Sequence, residues 1–523
     1  MTRPSPYTTR MRAFAKADEG AVLVFFAILF AVMLGMIALA FDTGRMAATQ
    51  SELQSYADNV ALAAAGELDG EDGAIARATA AAAELIDDIQ TFGDGGALLG
   101  VADYTLTFLS DLPADDTADT SGFVTTNSTA AAYARVVITP RRVATPIAAA
   151  FSAITGQQAI DANVGATAIA GFTAYVCDVP VLMFCLPSPT FKAEDNVGST
   201  ILLRSGRNGS QWGPGDFGFL DPSDIGVDQR GPCAGLNGVQ LDTCLIAASG
   251  NLLQCVRTNG VDIEPGQKVG IENAVFNTRF DIYTGTMNNK RNNPHYAPAP
   301  HVISGFEVPT KGNQCIGNNP SAGDTMAFPA DDCFGSSSGC TIGNGRFGDA
   351  DWSDGRATYF ATNYGVKDAT GNLVRDANGN VVLNANGQRV LTALGSNTSP
   401  TRYEVYKAEI AAAGTGNILT NRRETGRPQC SKATPNPNPE RRTFVAAGIN
   451  CDPATGGTAI AGAAKDVKPA EFVRVFLTRP VGNSTVSPPV FDLWVEVVES
   501  VGGPGGGQEV EAGIFREQVQ LYR

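Results

Sequence analysis

The pentapeptide Gly-Ser-Ser-Ser-Gly at 335–339 has the spacing of a serine nucleophile elbow, in which Ser337 would attack an acyl carbon. Such an elbow needs an apolar strand before the serine and a helix after it. Here Cys333 and Cys340 bracket the pentapeptide within a polar loop. The sequence therefore favours a chance match, and a hydrolase is the hypothesis with the least support.

The other candidates for chemistry are two histidines and two acidic stretches. His295 and His301, the only histidines of the chain, lie in a proline-rich segment without acidic neighbours, which predicts loop residues rather than ligands. The stretches at 349–355 and 368–390 are rich in aspartate and asparagine but do not follow the ligand spacing of a calcium loop. No Walker lysine loop and no dinucleotide fingerprint occurs. We therefore predict a protein without catalytic residues, metal or cofactor.

All ten cysteines lie after Val176: Cys177, Cys185, Cys233, Cys244, Cys255, Cys315, Cys333, Cys340, Cys430 and Cys451. An even number of cysteines confined to one part of a chain is typical of disulfides in an oxidising compartment. Zinc binding is the alternative, and it is disfavoured because no C-x₂-C pair occurs. Cys333 and Cys340 are the most credible local pair, whereas the other pairings stay open.

The chain has 523 residues, of which 53 are acidic and 38 are basic, and its formal net charge is −15. A body this acidic repels phosphate backbones, so no nucleic-acid partner is expected. Hydrophobic residues make up 43% of the chain, which is close to the globular average and excludes a wholly disordered protein. At roughly 100–200 residues per domain, the chain is long enough for several domains.

Residues 20–41 form an uncharged apolar run, GAVLVFFAILFAVMLGMIALAF. As a helix that rises about 1.5 Å per residue, the run would span roughly 33 Å, close to the hydrocarbon thickness of a bilayer. Asp42 follows the run, and basic residues precede it: Arg3, Arg10, Arg12 and Lys16. The positive-inside rule therefore places residues 1–19 in the cytoplasm. A cleaved signal peptide is the alternative, but its apolar region would be only about 7–15 residues long.

The helical pattern continues beyond the apolar run. Met46, Leu53 and Val60 recur at seven-residue spacing in a stretch that is rich in alanine and free of proline. This spacing predicts an amphipathic helix that ends near Leu68. Two interpretations are open: the helix packs on its own globular domain, or it packs with other single-span subunits. Small residues such as Gly35 would allow close approach between helices in the membrane.

The sequence FDTGRMAATQSELQSYADNVALAAAGEL at 41–68 resembles the N-terminal region of the TadE/TadG-like proteins of the Flp (Tad) pilus-assembly system. Those proteins typically have an aspartate just after the span, followed by an alanine-rich helix. The residues that fit this pattern are Asp42, Leu53, Gln54, Ala57, Asp58, Ala61, Leu62 and Ala63. The resemblance implies a role in pilus assembly, with the lipid bilayer and other Tad/Flp proteins or pilin-like subunits as partners.

Two departures limit what the resemblance implies. A processed pilin-like subunit carries a glutamate five residues after its cleavage glycine, whereas the fifth residue after Gly20 is Phe25, so prepilin-peptidase processing is not expected. Many TadG-like proteins also carry a von Willebrand A domain with a D-x-S-x-S metal site. The nearest sequence, DWSDG at 351–355, lacks the second serine. An adhesion-type metal site is therefore expected to be absent.

The predicted fold class is α+β, with a long N-terminal helix followed by a β-rich, disulfide-containing exported body. Residues 42–175 would hold the continuing helix and a small α+β unit, and residues 176–523 the cysteine-containing part. Residue periodicity predicts helices at 74–90 and 145–154 and strands at 102–109, 131–139, 159–170, 472–477 and 490–500. A threefold repeat at 368–390, DATGNLVR-DANGNVVL-NANGQRV, predicts hairpin turns at its glycines.

One principal hypothesis and one alternative follow. The principal hypothesis is a non-catalytic component of a Flp/Tad-type pilus-assembly machinery in a Gram-negative bacterium. It would cross the inner membrane once and place its bulk in the periplasm. The alternative is a membrane-tethered adhesin or glycan-binding module, favoured by the β-rich C-terminal half and by the aromatic loop residues Trp212 and Trp352.

Overall fold

The computed structural model describes residues 20–70, 72–84, 88–94, 96–113, 115, 117–155, 162–177, 182–221, 231–249, 255–257, 260–264, 273–308, 320–483, 491–502 and 515–522. The predicted cytoplasmic tail, residues 1–19, lies outside the described residues. The chain divides into two compact units, which we call the first and second unit. The first comprises residues 1–172 and 519–523, and the second comprises residues 173–518.

Helix α1 runs without a break from Gly20 to Ala65, a length of 46 residues, which corresponds to about 69 Å. The segment lacks proline and is rich in alanine and leucine, both of which favour a long helix. The helix ends three residues before the predicted end, where Gly66 follows, and Leu68 N–H still donates to the Ala65 carbonyl. The apolar run and the amphipathic stretch therefore form one continuous helix.

A small antiparallel sheet and two short helices complete the first unit. The helices are α2 (Ala74–Ala83) and α3 (Pro146–Thr155), and the strands are β1 (Asp88–Ile89), β2 (Leu98–Leu99), β3 (Tyr104–Leu109), β4 (Tyr133–Ile138), β5 (Arg141–Val143), β6 (Ala162–Val164) and β7 (Thr167–Cys177). Strand β4 pairs antiparallel with β3 and β7, and β5 pairs with β6. In β4, buried Ala134, Val136 and Ile138 alternate with partly exposed residues, because only one face of the strand meets the core.

Two elements of the first unit differ from the sequence prediction. Helix α2 ends at Ala83 rather than near residue 90, because residues 88 and 89 belong to β1, whose Ile89 pairs with Leu98. The single strand predicted at 159–170 consists of β6 and β7, which pair with different partners. Strand β7 is longer than predicted and carries the chain from the first unit into the second.

The second unit contains five described helices and the larger sheet. The helices are α4 (Gly238–Ala247), α5 (Asn273–Asn277), α6 (Ser353–Tyr364), α7 (Ala385–Leu394) and α8 (Arg402–Ala413). The strands that follow β7 are β8 (Leu182–Cys185), β9 (Thr200–Ser205), β10 (Asp216–Leu220), β11 (Cys255–Arg257), β12 (Val261–Glu264), β13 (Thr443–Ile449), β14 (Ala464–Val467), β15 (Glu471–Leu477), β16 (Gly482–Asn483), β17 (Phe491–Gly502) and β18 (Phe515–Leu521).

The large sheet has the strand order β14-β12-β10-β8-β13-β15-β17-β16, and β9 pairs with both β10 and β17. The pairs β8–β13 and β9–β10 are parallel, whereas the other pairs of this sheet are antiparallel. Every residue of β13 and β15 is buried. Burial of all residues in a strand means that both faces of the sheet are covered there. The α+β fold class predicted from the sequence is confirmed.

The first two units of the repeat at 368–390 form tight turns. Asp368 Oδ1 accepts hydrogen bonds from Thr370 N and Asn372 N, and Asp376 Oδ1 accepts the equivalent pair from Asn378 and Asn380. Gly371 and Gly379 adopt φ of 88° and 85°, a conformation that strongly favours glycine. The hydrogen bond from the Thr370 hydroxyl, followed by the backbone donors, lowers the pKa of Asp368, and the backbone N–H of Asn380 lowers the pKa of Asp376.

The third unit of the repeat forms a helix instead of a hairpin. Asn384 occupies the position of the two turn aspartates, and its side-chain oxygen accepts hydrogen bonds from Asn386 N and Gly387 N at the start of α7. An asparagine in this place is a favoured helix N-cap. At the equivalent position of each repeat unit, a side-chain oxygen accepts backbone N–H groups. This interaction begins a turn in the first two units and a helix in the third.

Disulfides tie distant parts of the second unit together. Cys185 at the end of β8 is bonded to Cys451 just after β13, across 266 residues of sequence. Cys233 pairs with Cys244, and Cys333 pairs with Cys340. Cys430 is also in a disulfide, and no free cysteine occurs in the described part of the chain. Cys315 lies outside the described residues.

Candidate functional site

The N-terminal half of α1 exposes apolar side chains on all sides. An 18-residue stretch of the helix has a mean hydropathy of 3.0, and none of it is buried within the protein. No residue from Gly20 to Phe41 carries a charge. The exposed side chains include Val22, Leu23, Val24, Phe25, Phe26, Ile28, Phe30, Ile37, Leu39 and Phe41. A helix of this length and composition is suited to the interior of a bilayer.

The C-terminal half of α1 instead buries one face. Leu53, Ala57, Val60, Ala61 and Ala64 are fully buried, and this half of the helix packs on β4 and α2 of its own unit. Alanine side chains let the helix backbone approach the sheet closely. Of the two interpretations left open by the sequence, the structure shows the first: the helix packs on its own globular domain.

Asp42 links the end of the apolar run to a helix that is distant in sequence. Its side chain is buried, and Oδ2 accepts a hydrogen bond of 2.7 Å from the backbone N–H of Ala148. Ala148 is the third residue of α3, and N–H groups in the first turn of a helix have no partner within the helix. A carboxylate at this position also interacts favourably with the positive end of the helix dipole. Asp42 therefore caps α3 from another element.

Gln54 and Asp58, also identified from the sequence, lie one helical turn apart on α1. Gln54 Nε2 donates to Asp58 Oδ1 at 2.8 Å and to the Thr167 carbonyl, at the start of β7, at 3.0 Å. One turn earlier, Gln50 Nε2 donates to the carbonyl of Gly165 at 2.9 Å. These polar side chains thus join α1 to the edge of its own sheet, next to the buried Leu53.

The Gly-Ser-Ser-Ser-Gly pentapeptide, interpreted from the sequence as a chance match, lies in a loop rather than between a strand and a helix. Ser337 is exposed in the turn closed by the Cys333–Cys340 disulfide, after a short 3₁₀ helix. Of the two histidines, His295 is exposed, whereas His301 is buried with Nε2 3.0 Å from Glu409 Oε2. In the described ranges, no cluster of three or more histidine, cysteine or acidic side chains could hold a metal ion.

The tryptophans that favoured glycan binding are buried. Trp212 and Trp352 are 2% and 3% exposed. Their indole N–H groups donate to the carbonyls of Arg207 and Pro400. A buried ring cannot stack on a sugar, so this argument for the alternative hypothesis was wrong. The third tryptophan, Trp494, is partly exposed.

A group of fully buried ions occupies the interior of the second unit. Arg402 Nη2 lies 2.6 Å from Asp331 Oδ1, and Arg402 Nη1 lies 3.0 Å from Glu496 Oε2, with all three side chains inaccessible to solvent. Burial raises the pKa of Glu496, and Arg402 opposes this rise. This group was not identified from the sequence; the pattern Thr401-x-x-Glu404, which forms a capping box at the start of α8, is the signal that could have indicated it.

A second buried group surrounds Glu409 of α8. The hydroxyls of Tyr359 and Tyr364 each donate to Glu409 Oε1 at 2.7 Å. The Arg442 guanidinium packs on the rings of Phe280, Tyr406 and Phe476, and burial lowers the pKa of Arg442. Asp331 of the first group lines one described cavity, and Phe280 of the second group lines another. The hydrogen bonding of the two groups stabilises the fold, and sequence reasoning did not identify them.

A cavity of about 610 Å³ is lined in part by Arg479, a cation with no hydrogen bond or ion pair to the described residues. Its lining includes Phe306, Asp332, Phe334, Arg479 and Trp494. The Arg479 guanidinium carbon lies 4.5 Å from the Trp494 ring centroid, and Nε is buried without a hydrogen-bond partner among the described residues. Burial lowers the pKa of Arg479 to about 10, so the group stays charged at neutral pH. Such an arrangement can hold an anion.

Comparison with known families agrees with the N-terminal observations. Residues 20–67 match the model of the family described as putative Flp pilus-assembly TadE/G-like. The resemblance predicted from the sequence is therefore confirmed for this segment. The matched residues coincide with α1 and the turn that follows it. No curated protein and no solved structure matches the chain.

Proposed function

We propose that the protein is a non-catalytic component of a Flp/Tad-type pilus-assembly machinery that crosses the inner membrane of a Gram-negative bacterium once. The N-terminus would lie in the cytoplasm, where the basic residues before the span favour it. Both units beyond residue 42 would then lie in the periplasm. Disulfides in the second unit support this orientation, because they persist in an oxidising compartment.

The observation that carries the proposal is the agreement between the family match and α1. The matched residues 20–67 include the whole apolar run and the whole face that packs on the first unit. A helix that continues unbroken from lipid into a folded domain transmits the orientation of one to the other. The matched segment therefore has the form of a rigid membrane mount rather than of a flexible tether.

Partner proteins would contact the face of α1 that its own unit leaves uncovered. Gly44, Ala47, Ser51 and Ser55 are exposed and recur every three or four residues, which places them on one side of the helix. Their small side chains allow another helix to approach closely. Other Tad/Flp assembly proteins or pilin-like subunits, each with a single span, are the proposed partners.

Photo-crosslinking in cells tests this assignment. A photoreactive residue replacing Ser55 in the full chain is expected to capture a pilus-assembly protein or pilin, whereas one replacing buried Leu53 is expected to capture none. Deletion of the gene is expected to abolish piliation, and the full chain to restore it. Normal piliation after deletion, together with no pilus protein captured at Ser55, would refute the proposal.

The orientation has its own test. A reporter fused after residue 70 is expected to be active only outside the cytoplasm. Carbonate washing is expected to leave the full chain in the membrane. A reporter active in the cytoplasm would contradict the orientation, and extraction by carbonate would contradict the span.

A second candidate function, recognition of an anionic ligand, is favoured by the cavity at Arg479. Asp332 Oδ1 accepts the N–H of Gly355 and keeps one acceptor site, whereas Oδ2 accepts both the N–H of Asp354 and the hydroxyl of Ser353. One cation, one acceptor for a hydroxyl group and aromatic walls suit an acidic sugar. Oligogalacturonate is expected to bind the purified chain, and Arg479→Gln to weaken it about tenfold. Unchanged affinity in Arg479→Gln, or equal loss in the exposed Arg423→Gln, would refute this candidate.

A further inference from the structure

Helix α3 is an uncharged helix on the surface of the first unit. Its ten residues, PIAAAFSAIT, include no acidic or basic side chain. Pro146, Ala148, Ala149 and Ala150 are exposed, and Ile147 is partly exposed. Surface helices of soluble domains normally present charged residues to water. The exposed first half of α3, residues 146–150, therefore presents an uncharged surface that suits an apolar neighbour.

The position of α3 along α1 is fixed by Asp42. The carboxylate that accepts the Ala148 N–H belongs to the residue directly after the apolar run at 20–41. Because a helix rises about 1.5 Å per residue, Asp42 lies within a few ångströms of the last apolar residue, Phe41. The headgroup layer on each side of the hydrocarbon core is roughly 5–7 Å thick. The first turn of α3 is thus held at the depth of the headgroups.

We infer that α3 lies in the membrane interface and contacts lipid, as a second membrane attachment beside the span. The inference rests on the proposed insertion of α1. The bilayer is the occupant because Asp42 joins the first turn of α3 to the end of the exposed apolar run of α1, and neither α3 nor that run at 20–41 carries a charge. Helices in the membrane interface bury their apolar side at the boundary between headgroups and acyl chains.

This placement explains why Asp42 itself is shielded. An exposed carboxylate at the hydrocarbon boundary would be unfavourable. Here the side chain is 6% exposed and satisfied in part by the first turn of α3. The hydrogen bond therefore has two roles. It caps α3, and it holds α3 beside the point where α1 leaves the membrane. Two attachments fix the rotation of the first unit about α1, which a single helix would leave free.

Tryptophan quenching in nanodiscs tests the inference with the full chain. Three single variants, Ala150→Trp on α3, Phe30→Trp within the span and Ser55→Trp on exposed α1, are compared with the unsubstituted chain to subtract its own tryptophans. Lipids brominated near the headgroup end of the acyl chains are expected to quench Ala150→Trp at least about twofold more than Ser55→Trp. Aqueous acrylamide is expected to quench in the opposite order. Adding Asp42→Ala to Ala150→Trp is expected to reduce quenching by lipid.

The three positions separate the possible failures. If Phe30→Trp is not quenched by brominated lipid, the span itself is wrong and the proposed function fails with it. If Phe30→Trp is quenched and Ala150→Trp behaves like Ser55→Trp, only the inference about α3 is overturned. Protection of Ala150→Trp from acrylamide without quenching by lipid would mean that protein, such as a second copy, covers α3, and would also overturn it.

Discussion

The two units of this protein are stabilised by different means. In the described part of the first unit, Asp42 is the one charged side chain that is buried, and the core is built largely from alanine, valine and leucine. The second unit buries many ions, including Arg402, Glu409, Arg442 and Glu496, and contains every cysteine. The first unit is therefore stabilised mainly by apolar packing, whereas the second also depends on buried ion pairs and disulfides.

Removal of the long-range disulfide is expected to have the largest effect. In the double variant Cys185→Ser, Cys451→Ser, the second unit should lose about 3–5 kcal/mol, because the bond closes a loop of 266 residues. The first unit, which has no cysteine, should keep its stability. Amide hydrogen exchange of the full chain, read separately for peptides of each unit, measures both. Equal loss in the two units would contradict independent stabilisation.

The second-largest loss of stability is expected when the buried ion group of Arg402, Asp331 and Glu496 is broken. Arg402→Met leaves Asp331 and Glu496 without their cation in the interior, which should cost about 3–5 kcal/mol. The matched control is Arg375→Met, because Arg375 is exposed and donates only to the Gly379 carbonyl. Chemical denaturation should show a large loss for the first variant and almost none for the second. A similar small effect for both would show that the ion group contributes little.

In the first unit, the buried apolar face of α1 is the feature whose contribution to stability can be tested in the same way. Leu53→Ala removes a fully buried side chain and should destabilise this unit by about 2–4 kcal/mol. Ser55→Ala, two residues away on the exposed face, should change stability by less than about 0.5 kcal/mol. The measurement is again hydrogen exchange by unit, and the second unit should be unaffected. Equal exchange in the two variants would contradict packing of α1 on its own sheet.

The elements that the sequence predicted well depend on neighbouring residues. The helix from Gly20, the period-two strands near 104–109 and 133–138, and the α+β class follow from local pattern. The third repeat unit was mispredicted because Asn384 can start either a turn or a helix, and its packing decides between them. Residue pattern thus predicts the type of an element best where the residues of that element alone determine it.

Features that join distant residues could not be predicted. Asp42 was identified through the family pattern, but its partner Ala148 lies 106 positions away. Arg402 meets Asp331 and Glu496 across 71 and 94 positions, and only the capping box beside it was visible in the sequence. The burial of Trp212 and Trp352 likewise depends on which surfaces the fold covers. Such contacts need the three-dimensional arrangement.

The smallest predicted loss of stability is expected on substitution of Asp42, the buried charged residue of the first unit. Asp42→Ala removes the acceptor of the Ala148 N–H and should destabilise α3 locally by about 1 kcal/mol. Asp42→Asn keeps an oxygen acceptor and loses only the interaction of the charge with the helix dipole, about 0.3–1 kcal/mol. Exchange of the α3 amides should therefore accelerate in the order Asn, then Ala, while Thr43→Ala, an exposed neighbour, should leave it unchanged. If all three variants exchange like the unsubstituted chain, the carboxylate does not hold α3. Asp42, the only buried charge described in the first unit, would then not act as a helix cap. Capping is the role that distinguishes it from the paired ions of the second unit.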